Sequence, residues 1–160
     1  MFKSNLAKLL TLLYGTTLLL TNEAKANDSI SAACQQAAHN AGVSLLTKHK
    51  AKITSSNFYP ETSKNNPYKG SKELIIAFAN NGTSSNLLSS PRLLQSVANS
   101  ISVSCNNEVS IIGFGMRNSG YLIRYYKMPS GMKPGVAIDC PTARDPQTPN
   151  SLSWGYYVMC

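Results

Sequence analysis

Apolar positions along this chain fall into several patterns, and each change of pattern marks an element. From Leu9 to Leu20 the run LLTLLYGTTLLL carries no charge, with Lys3 and Lys8 ahead of it and Ala24-Lys25-Ala26 behind. A basic start, a short apolar centre and a small-x-small site together read as an export signal over residues 1–26, cleaved before Asn27. The run is too short to span a bilayer, which takes roughly 20 residues of helix. Residues 27–160 read as a single secreted or periplasmic domain.

Helical spacing comes next. Cys34, Ala37 or Ala38, Ala41 and Leu45 recur as on one helix face, which predicts a helix over residues 29–41. Ser29 or Ser31 would cap it, and Gly42 would end it in a left-handed turn. From Val43 the period becomes two. Val43, Leu45, Thr47, His49, Ala51 and Ile53 share one side of a predicted strand over residues 43–54, and Ser44, Leu46, Lys48, Lys50, Lys52 and Thr54 share the other. Leu46 is the one misfit. The polar stretch 55–71, with Pro60, Pro67 and Gly70, reads as a long loop.

KELIIAFA, residues 72–79, is apolar on both faces and predicts a central strand. A loop over residues 80–89 leads to Ser90, a cap residue, and to Pro91 at the first position of a helix. Leu93, Leu94, Val97, Ala98 and Ile101 form its apolar stripe, and Cys105 stands at its end. Two β-rich runs, 109–116 and 121–128, are joined by Arg117-Asn118-Ser119-Gly120 as a hairpin. Short strands are predicted at residues 136–140 and 154–160. The expected fold is α+β: an antiparallel or mixed sheet of five to six strands, one or two helices against it, and two disulfides.

The cysteines sharpen this picture. Cys34, Cys105, Cys140 and Cys160 all lie beyond the signal, and an even count in an exported chain reads as a disulfide framework. Four cysteines allow three pairings. The preferred one is Cys34–Cys105 with Cys140–Cys160, the second closing a proline-broken loop. Zinc ligands come as close pairs, whereas the nearest two cysteines here stand twenty positions apart, so no metal is expected. Charge adds a second constraint. The chain carries 15 basic and 7 acidic residues; without the three lysines and one glutamate of residues 1–26, basic residues still outnumber acidic ones two to one. A surface of that sign attracts anionic partners.

Signals for catalysis are sparse. Gly113-Phe114-Gly115 follows a strand, yet the dinucleotide spacing fails and a strand, not a helix, comes next. No serine sits in a G-x-S-x-G elbow. His39 and His49 are the only histidines. They come too early for a guanyl-specific microbial ribonuclease, and His49 falls on the inward side of its predicted strand. Glu61 and Glu73, flanking the long loop, form the best carboxylate pair in a weak field. No family is claimed, and no cofactor is expected.

Two binding patterns remain. Lys48, Lys50 and Lys52 project from one strand face about 6–7 Å apart, suited to repeated negative charges, or else protecting an edge strand from aggregation. Tyr121, Tyr125, Tyr126, Trp154, Tyr156 and Tyr157 gather near the C-terminus beside Arg124 and Lys127, where rings stack on sugars or bases and cations hold acidic groups. The expectation is a non-catalytic exported module that binds an anionic polymer, polysaccharide or nucleic acid, or an envelope protein. Its site is assigned to Lys48, Lys50, Lys52, Tyr121, Arg124, Tyr125 and Lys127. The alternative is a small extracellular hydrolase using His49 or Glu73 with Arg124.

Overall fold

Ser31 starts the first helix: its hydroxyl accepts from the Cys34 N–H at 3.2 Å, while its own N–H donates to Glu108 at 2.7 Å. The computed structural model describes residues 29–139 and 152–159. The expected export signal, Cys140 and Cys160 lie outside them. In chain order the elements are α1 (Ala32–His49), β1 (Ile53–Pro60), β2 (Lys72–Phe78), α2 (Gly82–Leu88), α3 (Pro91–Cys105), β3 (Val109–Met116), β4 (Leu122–Met128), β5 (Gly131–Pro134), β6 (Val136–Asp139) and β7 (Tyr156–Met159).

Five strands form one mixed sheet in the order β1-β2-β3-β4-β5, antiparallel throughout except for the parallel pair β2–β3. Joining two parallel strands needs a long crossover, and α2 with α3 supplies it. β6 and β7 make a separate parallel pair. The α+β class and the five-stranded sheet match the expectation; the described helices number three.

Strand alternation divides the sheet into two faces. Leu74, Ile76 and Phe78 of β2, Ile112 and Phe114 of β3, Tyr125 of β4 and Met132 of β5 are buried in one core with Ala38 and Leu45 of α1 and Leu94, Ala98 and Ile101 of α3. Phe78, Phe114 and Tyr125 run as a row of rings through it, with centroids 6.4 and 5.8 Å apart. Cys34 and Cys105 join α1 to the end of α3 by the expected disulfide. Such a bond forms and persists in oxidising compartments. No helix among the described residues is long and apolar enough to cross a membrane.

Two expectations fail at the first helix. It does not end at Gly42 but runs to His49, and the left-handed residue is Lys50, with φ 57°. Of the strand predicted over residues 43–54, residues 43–49 are helical, and Ile53 and Thr54 are extended as the start of β1. The reason is the stripe already present in the sequence: Cys34, Ala38 and Leu45 are buried on one helical face, and that burial outweighs the cost of about 1 kcal/mol for a mid-helix glycine. Gly42 has a different role. A Cβ there would lie 2.9 Å from Ile53 Cδ1, so the missing side chain lets the start of β1 approach the helix.

Residues 55–60, expected as loop, make up the rest of β1. Its ladder with β2 holds it, with Phe58 opposite Leu74 and Ser56 opposite Ile76. Residues 82–88, also expected as loop, form α2, capped by Asn81, whose side chain accepts from the Ser84 N–H at 2.9 Å. Leu87 and Leu88 are its buried residues of apolar character. Pro91 does occupy the first turn of α3, but the Ser90 hydroxyl makes no cap bond and donates instead to the Asn86 carbonyl.

Candidate functional site

The face of the sheet away from the helices carries Glu73 on β2, Gly113 on β3, and Arg124 and Tyr126 on β4. In the ladders Glu73 stands opposite Ile111, Arg124 opposite Gly113, and Tyr126 opposite Ile111. Because Gly113 has no side chain, Arg124 can reach across β3 to the glutamate two strands away. Its Nε donates to Glu73 Oε1 at 2.7 Å. A Cβ at position 113 would come within 3.0 Å of Leu122 and 3.6 Å of that same carboxylate oxygen. The glycine is thus part of the site's construction.

Over this pair lies a cleft of about 330 Å³, lined by Glu61, Glu73, Arg124, Tyr126 and Tyr157, with Thr62, Ser63, Leu152 and Tyr156 among its walls. The loop between β1 and β2 supplies one wall. Asn66 secures it: buried, it bonds to Ser71 at 3.0 Å and Ser110 at 3.4 Å through Nδ2, and accepts from the Tyr68 N–H at 2.7 Å. The segment 152–158 supplies the other wall. Trp154 holds that segment down, packing edge-on to Tyr126 at 5.0 Å and donating to the Lys127 carbonyl at 3.0 Å. Asn65 ties the two walls together through the Leu152 carbonyl, 2.6 Å away.

Burial opposes the charge on Arg124, but the bond to Glu73 and its negative charge prevail, so the guanidinium is held more firmly protonated than usual. Its Cζ lies 5.5 Å from the centroid of the Tyr157 ring. Among the described residues the side chain makes one hydrogen bond, through Nε. Neither terminal nitrogen has a hydrogen-bond partner among the described residues. On the carboxylate side, Glu61 Oε1 accepts from the Ser63 N–H at 2.6 Å.

The residues assigned from the sequence are dispersed. Arg124 is at the floor of the cleft. Tyr125, one position on, points to the other face, where it is fully buried and its hydroxyl donates to the Pro91 carbonyl. Lys127 shares that direction: its Nζ donates to the Asn106 carbonyl and to Asn107, and sits 5.4 Å from the Tyr68 ring centroid. Burial lowers its pKa. Tyr121 is exposed beyond the start of β4. Lys48, Lys50 and Lys52 form no row, because two of them lie at the end of a helix and its cap and the third in the connection to β1. All three are exposed, and none lines the cleft. His49 is exposed at the end of α1, beside α2 and α3, so it is neither a core residue nor a neighbour of Glu73.

Alternation along β4 alone separates Arg124 and Tyr126 from Tyr125 and Lys127, and that signal was available in the sequence. The meeting of Glu61, Glu73 and Tyr157 with Arg124 was not, since it depends on strand order. Comparison with known proteins finds no family model, no curated protein and no solved structure that matches this chain.

The two buried tyrosines of β4 give a test of this geometry. Burial, helped by nearby Tyr121 and Tyr157, pushes the Tyr125 hydroxyl up to about 12. Burial likewise raises Tyr126, against the pull of Arg124. A phenol with a raised pKa holds its proton more tightly when folded than when unfolded. Its stabilising effect is therefore complete below the unfolded value of about 10 and declines as pH rises through the folded one. Stability should be flat from neutral pH to about 10 and fall steeply between about 10 and 12. Urea midpoints and tyrosinate absorbance over that range would check it; a plateau continuing to pH 12 would contradict the burial of both hydroxyls.

Proposed function

We propose that this protein is a non-catalytic binding module that holds an acidic polysaccharide in the cleft over β2, β3 and β4. The observation that carries the reading is Arg124, fixed through Nε by Glu73 and beside the Tyr157 ring, with both terminal nitrogens uncommitted among the described residues. A planar guanidinium held in this way suits a carboxylate, which it can meet with two parallel bonds. Glu61 and Glu73 add acceptors for sugar hydroxyls, and tyrosine faces suit the apolar side of a sugar ring. The basic balance of the whole chain would draw a polyanion toward the site.

Binding of polygalacturonate, measured calorimetrically, should weaken as salt rises and fall at least roughly tenfold in Arg124→Ala, the loss of about one charge-assisted bidentate contact. Replacing Lys48, Lys50 and Lys52 together by alanine should have a smaller effect, confined to the salt dependence. Equal binding by wild type and Arg124→Ala would refute the assignment.

A hydrolase using Glu73 with Arg124 is the second reading. It is favoured by one observation, the sharing of a cleft by Glu61, Glu73 and Arg124. The histidine it also considered, His49, does not line that cleft. Slow chain cleavage of the same polymer, lost in Glu73→Gln while binding persists, would replace the first reading with this one.

A further inference from the structure

Tyr59, the penultimate residue of β1, stands directly opposite Glu73 in the β1–β2 ladder. Residues paired in this way point to the same face of a sheet. Phe58, one position earlier, pairs with Leu74 and packs against the core. Tyr59 therefore looks the other way, toward the side that holds Glu73 and Arg124. It is 45% exposed, and among the described residues its hydroxyl has no hydrogen-bond partner and its ring meets no other ring. Pro60, the next residue, lines the cleft, whereas Tyr59 does not. Nothing among the described residues closes the sheet beyond it, since β1 is an edge strand. Between Tyr59 and Arg124 the floor stays low, because β3 offers Gly113 there and Ile75 beside it is half-buried.

We infer that Tyr59 forms a second subsite, a platform for the sugar unit next to the one held by Arg124. This subsite rests on the proposed binding of an acidic polysaccharide in the cleft. The backbone sets the order of the units. Arg124 is fixed to the carboxylate of Glu73, and Glu73 lies one strand from Tyr59, a step of about 5 Å between backbones. A uronic acid whose carboxylate meets the guanidinium therefore places its neighbour in the polymer over β1. The polymer runs across the strands, from the Tyr157 side over Gly113 to Tyr59, and leaves at the free edge. The two positions differ in chemistry. Arg124 recognises charge, whereas Tyr59 offers an apolar ring face, and β1 carries no charged residue from Ile53 to Tyr59. Specificity for acid thus belongs to the first unit, and the second needs only a ring to stack.

Calorimetric titration of the disulfide-bonded protein with polygalacturonate, at several salt concentrations, separates the two positions. Tyr59→Ala should weaken binding about fivefold, the loss of about one ring contact, and leave the slope of log affinity against log salt unchanged. Tyr59→Phe should bind as the wild type does. Arg124→Ala should lower both the affinity and the slope. Because Tyr59 is exposed, melting of its variants should match the wild type. If Arg124→Ala is impaired while Tyr59→Ala binds normally, or Tyr59→Phe binds as weakly as Tyr59→Ala, the subsite is overturned and the cleft reading stands. A Tyr59→Ala protein that no longer folds would make the ring structural and overturn the subsite too. Absence of binding by the wild type, or equal binding by wild type and Arg124→Ala, removes the cleft reading and the subsite with it.

Discussion

Replacing Cys34 and Cys105 together by alanine should lower the free energy of unfolding by about 4 kcal/mol, in the range expected for a closed loop of this length. The two residues are separated by 71 positions, and both are fully buried. Without the cross-link the unfolded chain regains the freedom of that whole loop, which includes β1, β2 and α2. The folded state meanwhile loses the clamp between α1 and α3. A stability of that size is a large fraction of the roughly 5–15 kcal/mol typical of a domain. Urea unfolding of the disulfide-bonded protein and the double variant measures the difference directly. A loss below about 1 kcal/mol would mean that helix packing, not the cross-link, holds α1 in place.

Phe114→Ala should cost about 4 kcal/mol, within the roughly 3–5 kcal/mol seen when a buried phenylalanine is truncated. Phe114 is fully buried, stacked at 8° on Phe78 and met edge-on by Tyr125. Its removal leaves a cavity in the centre of the sheet, between the strands that carry Glu73 and Arg124. Phe114→Leu keeps most of the volume and should cost less than half as much. Equilibrium unfolding of the pair separates ring packing from general apolar burial. If both variants cost the same, the aromatic row is not what fills this core. The Glu73–Arg124 pair should remain formed in the leucine variant, since it lies on the opposite face.

How far the sequence could be read depended on how strongly each segment was patterned. β2, β3 and β4 were legible almost to the residue, because they combine apolar runs with a turn that has the right residues between the last two. α3 was legible for the same kind of reason: a five-residue stripe behind a proline. The second half of α1 was misread because Val43, Leu45 and Ala51 fit a period of two almost as well as a helical one. The difference rests on Leu45, which completes the stripe begun by Cys34 and Ala38. β1 has a polar Ser-Ser-Asn centre without apolar alternation, and α2 is mostly threonine, serine and asparagine, so neighbours hold both in place. A ladder with β2 makes one, and burial of Leu87 and Leu88 makes the other.

The misread helix had a direct consequence for the site. A lysine row exists only if residues 48–52 are extended; once they end a helix, the three side chains diverge. The aromatic cluster fared better, although its members took different roles. Trp154 and Tyr126 pack against each other, Tyr125 fills the core, and Tyr157 borders Arg124.

Local order was thus written in the chain itself: the apolar stripes, the hairpin, the α+β class and the cysteines able to bridge, because each depends on residues near one another or on simple pairing chemistry. The cleft was decided in three dimensions. Glu73 and Arg124 are 51 positions apart and meet only because β3 enters between their strands and offers a glycine at the crossing point. Strand order and register follow from the free energy of the whole packed sheet, and no local pattern carries that information.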